Sequence, residues 1–82
     1  MIVPSGCDLT LVNMKIFSSV RIIVQKGGRL CLRDSSVHGL IEAMDGGRIS
    51  VNYDNYGGSF LTGASVNGQL ILNGGAILEN SL

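Results

Sequence analysis

The apolar positions of this chain recur in one repeated pattern. Ile23-Val24-Gln25-Lys26-Gly27-Gly28-Arg29-Leu30-Cys31-Leu32 passes from a short apolar stretch through a double glycine into an apolar, any, apolar triplet. The pattern returns at Glu42-Ala43-Met44-Asp45-Gly46-Gly47-Arg48-Ile49-Ser50-Val51 and at Gly63-Ala64-Ser65-Val66-Asn67-Gly68-Gln69-Leu70-Ile71-Leu72. An early form stands at Ile2-Val3-Pro4-Ser5-Gly6-Cys7-Asp8-Leu9-Thr10-Leu11. Aligning the first apolar residue after each glycine turn gives Leu9, Leu30, Ile49 and Leu70, at spacings of 21, 19 and 21. Leu11, Leu32, Val51 and Leu72 form a second column, with Thr10, Cys31, Ser50 and Ile71 between the two. Alternation with a period of two predicts a strand with one buried face. Recurrence of that strand in the same direction predicts parallel pairing.

Two more faces follow from the same alignment. Ile16, Val37, Tyr56 and Ile77 make a third apolar column. Ahead of the glycine turns, Ile22, Ile41 and Thr62 alternate with Val3, Val24, Ala43 and Ala64. The β-branched run from Val20 to Val24 suits a strand. The two-residue shortening of the second coil falls near Ser36 to Leu40, in a turn, where deletions are tolerated.

Self-similarity at this period marks a stacked architecture. With three faces per coil, the pattern resembles the right-handed parallel β-helix superfamily, which holds pectate-lyase-like enzymes, phage tail spikes and bacterial surface adhesins. The Val24 to Leu32 string and its three copies carry the resemblance. It is architectural and covers nearly the whole chain. Left-handed β-helices use hexapeptide turns and shorter coils, which suits this irregular spacing poorly. The expectation is an all-β, right-handed parallel β-helix of about four coils of 19–21 residues, a single module over residues 1–82 with no helix cap. A competing reading is an α+β or β-sandwich domain with a helix from about Asn13 to Lys26, where Met14, Phe17, Arg21 and Val24 fall near helical spacing. Val20, Ile22, Ile23 and Val24 are poor helix formers and count against it.

The turns read as corners. Gly27-Gly28 aligns with Gly46-Gly47, Asn67-Gly68 and Gly6-Cys7, and Gly and Asn accept positive φ at low cost. A phosphate-cradling loop would need a following Lys-Ser/Thr and a helix, and neither is present. The outward column after the turn is Asp8, Arg29, Arg48, Gln69, beside Ser5, Lys26, Asp45, Val66. With strands ~4.8 Å apart, Asp8 is expected to pair with Arg29 and Lys26 with Asp45. A basic stripe for an anionic ligand is the alternative. Asn13 and Asp34 align at a strand end, with Asn52 and Asn73 one residue earlier in their coils, as turn residues that bond neighbouring backbone.

Composition narrows the function. Six basic residues balance six acidic ones, which argues against a nucleic-acid partner. Neutrality also removes a guard against self-association. No run approaches the ~20 apolar residues of a membrane helix, and no signal peptide is evident. Cys7 and Cys31 are too few for a disulfide scaffold, and they occupy non-equivalent repeat positions. A bridge between them stays open. Lone His38 stands far from either cysteine in the repeat, so no zinc site is expected.

For chemistry, Asp34, Asp54 and Arg33 are the candidate diagonal neighbours on adjacent coils, with His38 one turn further. A polysaccharide-cleaving site would need converging carboxylates and a cleft, and the short turns supply no wall. The expectation is that the chain is not an enzyme and carries no catalytic, cofactor or metal residues. It is expected to be a structural, self-assembling module, a spacer or stalk of an extracellular or cell-surface adhesin, with its own copies as partner. Its ends show no cap in the sequence, which suits a fragment of a longer solenoid or a self-stacking unit. The alternative is a carbohydrate-binding or carbohydrate-cleaving segment of a longer β-helix enzyme, or an excised scaffold.

Overall fold

The computed structural model describes residues 1–51 and 65–80. Among them are eleven strands and no helix. Sheet A holds β1 (Ile2–Val3), β4 (Arg21–Val24), β7 (Leu40–Ala43) and β10 (Gln69–Leu72). Sheet B holds β2 (Asp8–Val12), β5 (Arg29–Arg33), β8 (Arg48–Val51) and β11 (Ile77–Asn80). Sheet C holds β3 (Lys15–Ile16), β6 (Ser36–Val37) and β9 (Ser65–Val66). All pairing is parallel. The chain visits the sheets in fixed rotation A, B, C, so each strand lies on its counterpart one circuit earlier. Strands at Lys15–Ile16 and Arg21–Val24 exclude the competing helix from Asn13 to Lys26.

The inward columns form the core. Val3, Val24 and Ala43 stack in sheet A beside Ile22 and Ile41, while Leu9, Leu30 and Ile49 stack in sheet B beside Leu11, Leu32 and Val51. Ile22, Leu30, Leu32, Ile41 and Ile49 are fully buried. Each such side chain contributes roughly 1.5–3 kcal/mol of burial, which offsets the cost of ordering very short strands. Leu9 and Leu11 in the first circuit are only half-buried.

Three circuits keep the expected register and the last does not. Leu9 to Leu30 is 21 residues and Leu30 to Ile49 is 19. Leu70, expected opposite Ile49, instead pairs with Ile41 in sheet A, and Leu72 pairs with Ala43. The fourth member of the Leu9 column is Leu78, 29 residues after Ile49. Ile77 leaves the Ile16 column for the outward face of sheet B, opposite Arg48, and Val66 joins Ile16 and Val37 in sheet C. The cause is a third circuit of 29 residues, not 19–21. Gly68 resembled a glycine corner because sheet A also begins after a glycine, Gly39, in the preceding circuit. Both sit where the previous backbone leaves no room for a side chain: Gly39 lies against the Val20 carbonyl and Gly68 against that of Gly39. The two-residue shortening falls here, since Phe17-Ser18-Ser19-Val20 is replaced by His38-Gly39 before the strand resumes at Leu40, opposite Arg21. Tyr56, Thr62, Ala64, Asn52, Asp54 and Gly63 lie outside the described residues.

The double-glycine corners between sheets A and B are four-residue turns. Cys7 N–H donates to Pro4 O, Gly28 N–H to Gln25 O, and Gly47 N–H to Met44 O, at 3.1, 2.8 and 2.8 Å. The third residue of each, Gly6, Gly27 and Gly46, has φ of 79°, 78° and 83°, as a type II turn requires. The second glycine answers a different need. A Cβ on Gly28 would lie 2.6 Å from Val3 O, and one on Gly47 would lie 2.8 Å from Val24 O. The fourth corner is Asn73-Gly74-Gly75-Ala76, closed by Ala76 N–H to Asn73 O at 3.0 Å, with its positive φ of 54° moved to the second residue, Gly74.

Candidate functional site

The described polar side chains converge where β10 and β11 meet the third circuit. On the outward face of sheet B, Thr10, Cys31, Ser50 and Glu79 share a column, flanked by Asp8, Arg29, Arg48 and Ile77. Ser50 points outward yet is fully buried, beneath longer neighbours. Its hydroxyl donates to Glu79 Oε1 at 2.7 Å and accepts from Arg29 Nε at 3.2 Å. Glu79 Oε1 also lies 3.9 Å from Arg29 Nη2 and 3.7 Å from Arg48 Nε. One carboxylate thus neutralises two arginines that pair in register on adjacent strands, where like charges would repel.

The expected ion pairs are replaced. Among the described residues no ion pair joins Asp8 to Arg29 or Lys26 to Asp45; both recorded pairs run to Glu79. Asp45 turns instead to the fourth corner and accepts the Gly75 N–H at 2.6 Å, while the Lys26 stem lies along Gly46. A carboxylate bonded to a backbone N–H outweighs a solvent-screened surface pair. Asn73, expected to bond neighbouring backbone, does so: its Nδ2 donates to Ala43 O and to Glu42 Oε2, each at 3.1 Å. Asn13 and Asp34 close their strands in the left-handed region, with φ of 53° and 51°, which Asn and Asp tolerate better than most residues.

The candidate chemistry does not converge. Arg33 ends β5 and Asp34 follows in the turn. His38 lies past sheet C, beside Ser18, Gly39 and Asn67 in a shallow concavity. Asp54 is outside the described residues. Among those described, no group of three His, Cys, Asp or Glu side chains could hold a metal ion. Cys7 and Cys31 are free thiols, Cys7 exposed and Cys31 half-buried. No helix among the described residues is long and apolar enough to cross a membrane.

Sequence reasoning missed three residues that organise this molecule. Ser35 is buried, and its Oγ accepts the Met14 N–H at 3.0 Å with the carbonyls of Arg33 and Leu11 within 3.0 and 3.1 Å. It joins the first two circuits at the corner into sheet C. Ser50 stood in a column read only as outward. Glu79 was hidden by the shift in register, which put Ile71 in its place. Compared with known proteins, the chain matches no family model, no curated protein and no solved structure.

Proposed function

We propose that this chain is a structural module: a right-handed parallel β-helix that stacks and spaces, and does not catalyse. The observation that carries this reading is the strict rotation of the chain through three parallel sheets with in-register apolar columns. Such a stack grows by adding circuits, each contacting only its neighbours. Parallel connections within one sheet are right-handed in nearly all proteins, and the 21- and 19-residue circuits suit that hand.

Self-assembly follows from the strand edges. Among the described residues no strand pairs with the outer edges of β10 and β11, where Leu72 and Leu78 are 43% and 46% exposed. An apolar strand edge with free backbone groups is a template for another strand, and zero net charge does not oppose it. The partner is a second copy of the chain, in the setting of a surface stalk or spacer.

The reading as a non-enzyme draws support from the acid-bearing cluster itself. Ser50 is fully buried between Arg29 and Glu79, so its hydroxyl is not accessible to a substrate. The surface concavity at the glycine corners, lined by Asp8, Gly28, Arg29, Gly46 and Arg48, is open to solvent among the described residues, and catalysis commonly needs water excluded. Sedimentation velocity from micromolar to millimolar protein tests the proposal. Growth of larger species with concentration is the expected result; a monomer throughout would overturn the self-assembly reading.

A further inference from the structure

The seam between the third and fourth circuits is built differently from the others. Between the first three, the glycine corners are joined by backbone alone: Gly6 N–H donates to Gly27 O and Gly27 N–H to Gly46 O, each at 3.0 Å. At the fourth corner that ladder stops, and the Asp45 carboxylate takes the Gly75 N–H. Glu42 holds Asn73 at the same seam, and Glu79 holds Ser50 and faces Arg29 and Arg48. Three carboxylates therefore fasten β10 and β11 to β7 and β8. Burial changes at the same place. Ala43 and Ile49 beneath the seam are 0% exposed, while their partners Leu72 and Leu78 are 43% and 46% exposed; Leu70, opposite the buried Ile41, is half-buried.

We propose that β10 and β11 form a latched cap, a circuit that opens as a unit ahead of the rest and uncovers the edge of β7 and β8. Among the described residues this circuit has apolar contact on one side only, so its strand ladders are supplemented by side-chain latches more than by burial, and segments with few buried contacts open at low free energy. The uncovered edge is the better template for pairing. Its backbone corner ladder is free to continue at Gly46, and the apolar residues behind it are those of the core. On the cap's own outer edge the ladder has already been interrupted by Asp45. This extends the self-assembly reading above by naming the edge that pairs and the contact that holds it back.

The test is amide-resolved hydrogen exchange on the full chain carrying Asp45→Ala and Glu79→Ala. The reporters are the N–H groups of Asn73 and Ile77, which donate to Ala43 O and Gly47 O across the seam, against Gln25 and Arg29, which donate to Val3 O and Cys7 O. Exchange at Asn73 and Ile77 is expected to rise roughly tenfold, with Gln25 and Arg29 unchanged. An equal rise at all four, or no rise at Asn73 and Ile77, would overturn the cap. If the alanine pair fails to fold, Asp45→Asn with Glu79→Gln keeps the volumes, and a several-fold rise confined to the same two amides is expected. Sedimentation of the same samples separates the two claims. Larger assemblies at lower concentration than wild type support the coupling of cap and assembly. Selective exchange with both proteins monomeric keeps the cap and removes the self-assembly reading.

Discussion

The corner at Gly46-Gly47 and the corner at Gly74-Gly75 share a dipeptide and solve different problems. At the first, Gly46 supplies a positive φ and Gly47 yields space to the Val24 carbonyl. At Gly47 backbone meets backbone, while the Lys26 stem lies along Gly46. At the second, the positive φ has moved to Gly74, and Gly75 faces the tip of the Asp45 side chain. The difference shows that a repeat can keep its letters while its mechanics change. Where circuits are packed on both sides, geometry alone fixes the corner. At the Gly74-Gly75 corner a charged side chain, Asp45, takes part.

The largest contrast should come from the core. Ile41→Ala, under the seam, is expected to cost about 2–5 kcal/mol, read as a lower urea midpoint for the whole chain. Leu78→Ala, in a half-exposed position of the last circuit, should cost less than about 1.5 kcal/mol. Equal effects would mean that the fourth circuit is as well packed as the third.

The corners come next. Gly47→Ala drives a methyl to 2.8 Å from Val24 O, and should cost up to about 3 kcal/mol. Gly75→Ala meets only Asp45 Oδ1, at 2.7 Å, a group that can swing aside. Its effect should stay near that of an ordinary surface change, about 0.5 kcal/mol. Thermal unfolding of the pair decides whether backbone and side-chain corners differ as described.

Ser35→Ala tests a side-chain link in the well-packed part of the chain. It leaves the Met14 N–H without its partner, a cost of about 1–3 kcal/mol. The smallest effect belongs to the half-exposed cluster. Glu79→Gln should change global stability by less than about 1 kcal/mol, and added salt should shrink the difference further. A salt-independent loss of several kcal/mol would show Glu79 to be a core determinant and not a latch.

Much of the fold was legible because period-two alternation and glycine corners are local. Leu9, Leu30 and Ile49 could be aligned by eye, and the parallel columns followed. The register of the last circuit was not legible. A glycine precedes the strand in both sheet A and sheet B, so Gly68-Gln69-Leu70 reads equally well as either corner. Only pairing with Leu40 and Ile41 decides between them. The polar cluster was lost with that register, since Glu79 reaches Ser50 only when Leu78 lies on Ile49. The Asp8 to Arg29 and Lys26 to Asp45 pairs were inferred from spacing alone, and spacing does not show that a nearby backbone N–H competes for Asp45.

The most direct test of the account is X-ray diffraction from aligned, concentrated assemblies of the wild-type chain. Stacked circuits pairing edge to edge predict a reflection at roughly 4.7–4.9 Å along the long axis, because strands run across that axis. Assemblies whose strands run along the axis, or that lack this spacing, would contradict it.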